Sequence, residues 1–122
     1  VSYFARGLTT SALMEIRQSL DESGFQTNLV YSSGRDLDVL PAHADKGQAA
    51  RHVAETWDRA PCDVLTSGDS GNDAEMMNYD FRGIVVANAK PELRAITGPN
   101  VHHSRLPFAA GVLEGIRYWC GD

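Results

Sequence analysis

Apolar and polar residues alternate along this chain with two different periods, and the periods change at identifiable places. Leu13, Ile16 and Leu20 recur at helical spacing with Glu15, Arg17 and Glu22 between them. Thr9 or Thr10 is placed to cap that helix, which is predicted to run to about Ser23 and to stop at Gly24. Ser2 to Ala5 reads as the edge of a strand, and Phe25 to Tyr31 as a second strand. Ser32-Ser33-Gly34-Arg35 is a turn. After it, Leu37 and Val39 alternate with Asp36 and Asp38 up to Leu40, the period of a half-buried antiparallel strand.

The helical period returns from Lys46 to about Arg59. Ala49, Ala50, Val53, Ala54 and Trp57 fall on one face, which is predicted to pack on a sheet. Pro61 to Thr66 reads as a buried strand, broken by Gly68 and Gly71. Asp73 to Tyr79 is a short helix with Met76 and Met77 as core fillers. Gly83 to Ala87 is apolar and branched, as in a central parallel strand. Pro91 opens a helix to about Ile96, and Val101 to His103 forms a short strand. From Phe108, the residues Val112, Leu113, Ile116 and Trp119 mark a last amphipathic helix, in which Gly111 and Gly115 allow close packing. Strands alternating with helices predict an α/β fold.

Composition narrows the function. The chain has 122 residues, 43% of them apolar, and a net charge of -5. That charge argues against non-specific nucleic-acid binding, which needs a basic face. Cys62 and Cys120 lack metal-site spacing and read as packed thiols. No apolar run approaches membrane-spanning length and no signal-peptide pattern opens the chain, so a cytoplasmic location is expected. Val1 falls inside a predicted strand, so the chain reads as a piece of a longer protein.

The chemistry gathers in Val64-Leu65-Thr66-Ser67-Gly68-Asp69-Ser70-Gly71-Asn72-Asp73. Ligands of a parallel sheet bind outside the carboxyl ends of its strands, where Asp69 falls. Asp73 and Glu75 lie in the following first helical turn, where negative charge is favoured. Magnesium takes oxygen ligands from one or two carboxylates, waters and a substrate oxygen. Asp69 fits that role, Asn72 and Asp73 can reach back to waters or to a cation, and Gly71 permits a tight turn. The plainer alternative is a capped Asp/Asn turn. Lys46 stands at a helix start, which disfavours a cation by up to roughly 1 kcal/mol unless an anion shares the site. Its alternative is an ammonium that simply reaches water. Adjacent strand residues point to opposite faces, so His102 and His103 do not form a metal pair.

The segment Gly68-Asp69-Ser70-Gly71-Asn72-Asp73 resembles the fourth motif of the haloacid dehalogenase-type phosphatases. Leu37-Asp38-Val39-Leu40-Pro41, followed by Asp45-Lys46-Gly47-Gln48-Ala49, resembles the third, whose lysine opens a helix. Phe81 to Ala89 resembles the next strand, and Ala109 to Ile116 the last helix of the sucrose-phosphatase branch. The resemblance covers nearly the whole chain. It implies a Rossmann-like parallel sheet with flanking helices, a partial core over residues 42–122, preceded at 1–41 by the end of an α+β cap. It also implies Mg2+-dependent hydrolysis of a sugar phosphate, with sucrose 6-phosphate as the substrate. Lys46 would neutralise the phosphate and Asp69 would bind magnesium. Asn72 and Asp73 would hold the metal's waters and Lys46. Asn88 reads either as a turn residue or as a polar group near the phosphate.

Phosphatases of this type use an aspartate nucleophile from an Asp-x-Asp motif, with the second aspartate as acid and base. Asp36-Leu37-Asp38 has the spacing, but it lies in the hairpin and lacks the glycine turn that should follow. Ser67 is too close to Asp69 to serve as the second motif. The nucleophile is therefore expected in a missing N-terminal part of the same protein. Other readings are a non-catalytic phosphatase-like domain of a sucrose-phosphate synthase, or a phosphatase for another glycosyl or glyceryl phosphate. Residues 32–38 and 42–45 are the candidates for substrate contact. The isolated chain is expected to be catalytically silent and, through unpaired strand edges, open to forming a homo-oligomer.

Overall fold

The computed structural model describes residues 1–121, in two compact units that divide between Asp45 and Lys46. The first contains β1 (Ser2–Phe4), α1 (Thr10–Glu22), β2 (Thr27–Ser32) and β3 (Asp36–Pro41). Thr9 caps α1, its hydroxyl accepting from Ala12 N–H at 3.2 Å. Gly24, at φ 81°, turns the chain out of α1 and donates to the Asp21 carbonyl at 2.9 Å. Ser33 and Gly34 take φ of 55° and 66° in a turn closed by Arg35 N–H onto the Ser32 carbonyl at 3.2 Å, with three residues between the paired Ser32 and Asp36. The strands form an antiparallel sheet in the order β1-β3-β2, with Leu37 buried and α1 against β2.

The second unit carries α2 (Lys46–Thr56), β4 (Leu65–Gly68), α3 (Ala74–Asn78), β5 (Arg82–Val85), α4 (Pro91–Arg94), β6 (Val101–His103) and α5 (Phe108–Cys120). Its sheet is parallel, in the order β4-β5-β6, so β5 is central, as its unbroken apolar run predicts. Successive β5 residues face opposite sides. Gly83 lies against Met77 of α3, while Ile84 lies against Gly115 of α5. Phe81, Ile84, Val85 and Leu93 are fully buried. Gly111 and Gly115 do permit close packing. A Cβ at Gly111 would strike the Leu106 carbonyl, and one at Gly115 would strike Ile84. Trp119 secures the same helix by donating from Nε1 to the Gly83 carbonyl at 3.2 Å.

Four expectations need correction. The predicted strand at Pro61 begins as a 3-10 turn over Pro61–Asp63, and pairing starts only at Leu65. Pro61 lacks an N–H, and the chain there instead closes Val64 N–H onto the Pro61 carbonyl at 3.0 Å. Nor is the strand buried, since β4 is an edge strand and Leu65 is 36% exposed. The apolar face of α2 does not close on a sheet. Ala54 is buried, but α2 packs on α3, and Trp57 stays 70% exposed. An open trough of about 790 Å³ remains, lined by Ala50, Val53, Trp57, Leu65 and Met76. Finally, Cys62 and Cys120 are exposed free thiols rather than packed ones. Among the described residues, no helix is long and apolar enough to cross a membrane.

Candidate active site

Asp69 follows β4 directly and is exposed. No hydrogen bond or ion pair engages its carboxylate among the described residues. Its backbone is fixed from two sides. The Asp69 carbonyl accepts from Lys90 N–H at 2.7 Å, and its N–H donates to Asp73 Oδ2 at 3.0 Å. The loop is thus held through its backbone while the Asp69 side chain stays exposed.

Asp73 is the hub of the loop. It is 6% exposed and lies in a 3-10 turn, Gly71–Asp73, that leads into α3. Oδ2 takes the N–H groups of Asp69 and Ser70, the latter at 3.3 Å, while Oδ1 accepts from Lys46 Nζ at 2.5 Å. A buried carboxylate requires such partners. Lys46 opens α2 and is half exposed, so its charge is balanced by Asp73 and still reaches the surface.

Asn72 is engaged locally, its Oδ1 accepting from Ser70 Oγ at 2.7 Å. Asn88 is exposed beyond the end of β5, and its Oδ1 accepts from Phe108 N–H at 2.7 Å. Asp69, Asp73 and Asn88 share a pocket of about 270 Å³ with Ser67, Val86, Phe108 and Val112. Lys46 joins the group through Asp73. Asn72 does not line the pocket.

Gly68 and Gly71 matter for space rather than for unusual φ. A Cβ on Gly68 would lie 2.9 Å from Asp73 Cγ, whereas one on Gly71 would meet only the Glu92 side chain, at 3.1 Å. Three further residues were not singled out from sequence: Gly68 as a contact, Ser70 and Phe108. Ser70 carries a usable signal, a Ser-x-x-Asp pattern at a helix start. Phe108 carries none, because its role depends on a residue twenty positions away.

The Asp-x-Asp-spaced pair Asp36 and Asp38 lies in the first unit's sheet. Asp36 pairs with Arg35 at 3.0 Å, and Asp38 accepts from Ser2 Oγ at 2.5 Å. His102 and His103 diverge as expected. The first stacks on Tyr118 near Glu114, and the second bonds the Ile96 carbonyl at 2.9 Å.

Residues 1–120 match the family model of sucrose-6F-phosphate phosphohydrolase. The chain belongs to this family. The mannosylfructose-phosphate phosphatase of Agrobacterium fabrum is 38% identical over 121 residues, covering 97% of this chain and 49% of that protein. Sucrose-phosphatase 2 of Nicotiana tabacum is 35% identical over 127 residues, covering 95% of this chain and 30% of that protein. A sucrose-phosphatase from Synechocystis, solved with sucrose and phosphate, superposes with a TM-score of 0.86 at 28% identity, over 98% of this chain and 51% of that one. This chain therefore spans about half or less of these relatives' length. The sucrose-6F-phosphate phosphohydrolase family is of the haloacid dehalogenase type, so the resemblance read from the motifs holds, and the Synechocystis likeness agrees with a three-stranded parallel sheet flanked by helices in one unit and a three-stranded antiparallel sheet in the other.

Proposed function

We propose that this chain supplies the metal-binding and charge-neutralising part of a magnesium-dependent phosphatase whose substrate is a sugar phosphate, most specifically sucrose 6-phosphate. The observation that carries the reading is the free Asp69 carboxylate beside the Lys46–Asp73 ion pair, at the carboxyl end of a parallel strand. On this reading residues 1–41 end a cap and residues 42–122 end the catalytic core.

The donor set fits magnesium. No group of three His, Cys, Asp or Glu side chains gathers among the described residues, and magnesium asks for only one or two carboxylates beside waters and a phosphate oxygen. Asp69 would hold the ion, and Asn72 and Asp73 would orient its waters. When bound, magnesium supplies electrostatic stabilisation of the phosphoryl oxygens. Lys46 brings a second positive charge to the phosphate, kept in place by Asp73. Asn88 lines the same pocket.

The nucleophile is an aspartate in a segment outside this chain. Its carboxylate oxygen takes the phosphoryl group as the bond from phosphorus to the sugar oxygen breaks, and a neighbouring acid gives that oxygen a proton. Water then attacks phosphorus, releasing phosphate and restoring the aspartate. The free edge of β4 and the open trough beside it support this reading, since both lie next to the Asp69 loop with no partner among the described residues.

The Agrobacterium relative favours a second reading, in which the substrate is the phosphate of another disaccharide such as mannosylfructose. One experiment separates these. Phosphate release by the full-length protein is measured on both sugar phosphates, with and without magnesium, beside Asp69→Asn. Magnesium-dependent release that is lost in the variant supports the assignment, and unchanged release overturns it. A folded parent silent on both esters points to a non-catalytic phosphatase-like domain.

A further inference from the structure

Phe108 stands at φ 52°, in the left-handed region that a bulky side chain seldom occupies. Two other non-glycine residues share that region, Ser33 in the hairpin and Asp58 just past α2, and both sit in turns. Phe108 instead opens a helix of thirteen residues. Strain of this kind persists only where the surroundings over-determine it, and it concentrates at functional sites.

The surroundings here do over-determine it. Ser104 N–H donates to the Val85 carbonyl at 2.9 Å, and the Leu106 carbonyl accepts from Ala87 N–H at 3.1 Å. The Glu114 carboxylate takes the N–H groups of Arg105 and Leu106, at 2.9 and 3.1 Å. Asn88 closes the set by accepting from Phe108 N–H at 2.7 Å. The turn before α5 is thereby tied to β5 and to α5 itself. The result is a phenylalanine that is 72% exposed and lines the same pocket as Asp69 and Asp73.

We propose that Asn88 is a positioning residue: it holds Phe108 in this backbone conformation so that the ring forms the apolar wall against the glycosyl part of the substrate. The inference rests on the phosphatase reading and adds a specificity device to it. The polar side of the pocket takes the phosphate end. An aromatic face on the other side suits the C–H surface of a sugar ring, and sites that pair few polar groups with aromatic walls orient their ligands this way. A small phosphate ester without a ring has nothing to lay against Phe108.

The test uses the full-length protein and two esters, sucrose 6-phosphate and glycerol 3-phosphate. The readout is the ratio of their kcat/KM values. Phe108→Gly accepts the positive φ and removes the ring, so the ratio is expected to fall about tenfold, the scale of one lost aromatic contact. The fall should appear in KM for the sugar phosphate rather than in kcat, and Phe108→Tyr should restore the ratio. Asn88→Ala should lower the ratio in the same direction. In the double variant its effect should vanish, because Asn88 acts through Phe108. A ratio unmoved by Phe108→Gly, or an Asn88→Ala loss that adds in full to it, overturns the proposal while leaving the phosphatase reading intact. A folded wild-type protein that hydrolyses neither of these esters, nor mannosylfructose phosphate, overturns both.

Discussion

Lys46 and Asp73 are joined at 2.5 Å, yet the two ends of this ion pair differ in what they hold. Asp73 is buried and its second oxygen carries the backbone of residues 69 and 70. Lys46 is half exposed and carries nothing else that fixes the loop. Replacing each should therefore separate stability from chemistry. Asp73→Ala leaves two loop N–H groups without their acceptor and should cost about 2–3 kcal/mol. Lys46→Met removes the cation from a buried carboxylate that keeps its two N–H donors, and should cost less, about 1–2 kcal/mol. In phosphate release by the full-length protein, Lys46→Met should still lose on the order of a hundredfold, as expected of a preorganised charge facing the reacting group. Urea unfolding and turnover of the two variants check the separation. Equal stability losses would mean that Asp73 is not the hub described.

The two loop glycines make a sharper contrast. At Gly68 an added methyl runs into Asp73, which cannot move without releasing Asp69, Ser70 and Lys46. Gly68→Ala should therefore cost about 1–3 kcal/mol and lower activity as well. At Gly71 the same methyl meets the flexible end of Glu92, which can turn aside, so Gly71→Ala should change stability by under about 0.5 kcal/mol. Thermal unfolding of the two variants reads this directly, and a Gly71→Ala variant as unstable as Gly68→Ala would refute the geometry.

The place of Asp69 after a strand and the pairing of Asp73 with Lys46 were legible because two local motifs resemble those of a known family, while the residues alone left the plainer alternatives open. Two glycines punctuate an apolar run, and a lysine sits at a helix start where a cation is otherwise out of place. The central strand β5 was legible from its branched apolar run, and the packing of α5 from Gly111 and Gly115. What escaped depends on contacts distant in sequence or on neighbours that are not there. The helical face of Val53 and Trp57 is apolar as if to pack, but periodicity cannot say what it packs on. The strand after Pro61 reads as buried from its residues alone, while its place at the sheet edge belongs to topology. No pattern foretells a phenylalanine at positive φ, which its residue type disfavours and only the Asn88 bond and its companions impose.

The glycine pair of α5 yields a third prediction. Gly111 touches the backbone carbonyl of Leu106, which the Ala87 and Glu114 bonds fix in place. Gly115 touches Ile84, one of the fully buried core residues. A side chain at Gly115 must lift α5 from β5 and one at Gly111 must displace the turn before α5, so Gly111→Ala and Gly115→Ala should each cost about 1–3 kcal/mol or more. Gly111→Ala should be the worse, because a carbonyl in a pinned turn yields less than the end of an isoleucine. Chemical denaturation curves rank the two, and the reverse order would show that the turn gives way before the core does.

The exposed edge of β4 leads to the last prediction. Leu65 and the trough lined by Val53 and Trp57 put apolar surface beside a strand that pairs with β5 alone. Unpaired strand edges with apolar flanks recruit other strands, and natural proteins blunt such edges with lysine. The 122-residue chain expressed alone should therefore associate as its concentration rises, and Leu65→Lys should move it towards monomer in sedimentation measurements. In the full-length protein the same substitution should reduce stability, because on the proposed reading that edge is covered there. Tryptophan emission gives an independent check. Trp57 is 70% exposed in this chain, so its emission should shift to the blue in the full-length protein. A chain that stays monomeric at all concentrations, with the same emission in both forms, would show that nothing docks on this edge, and the source of the missing nucleophile would have to be sought elsewhere.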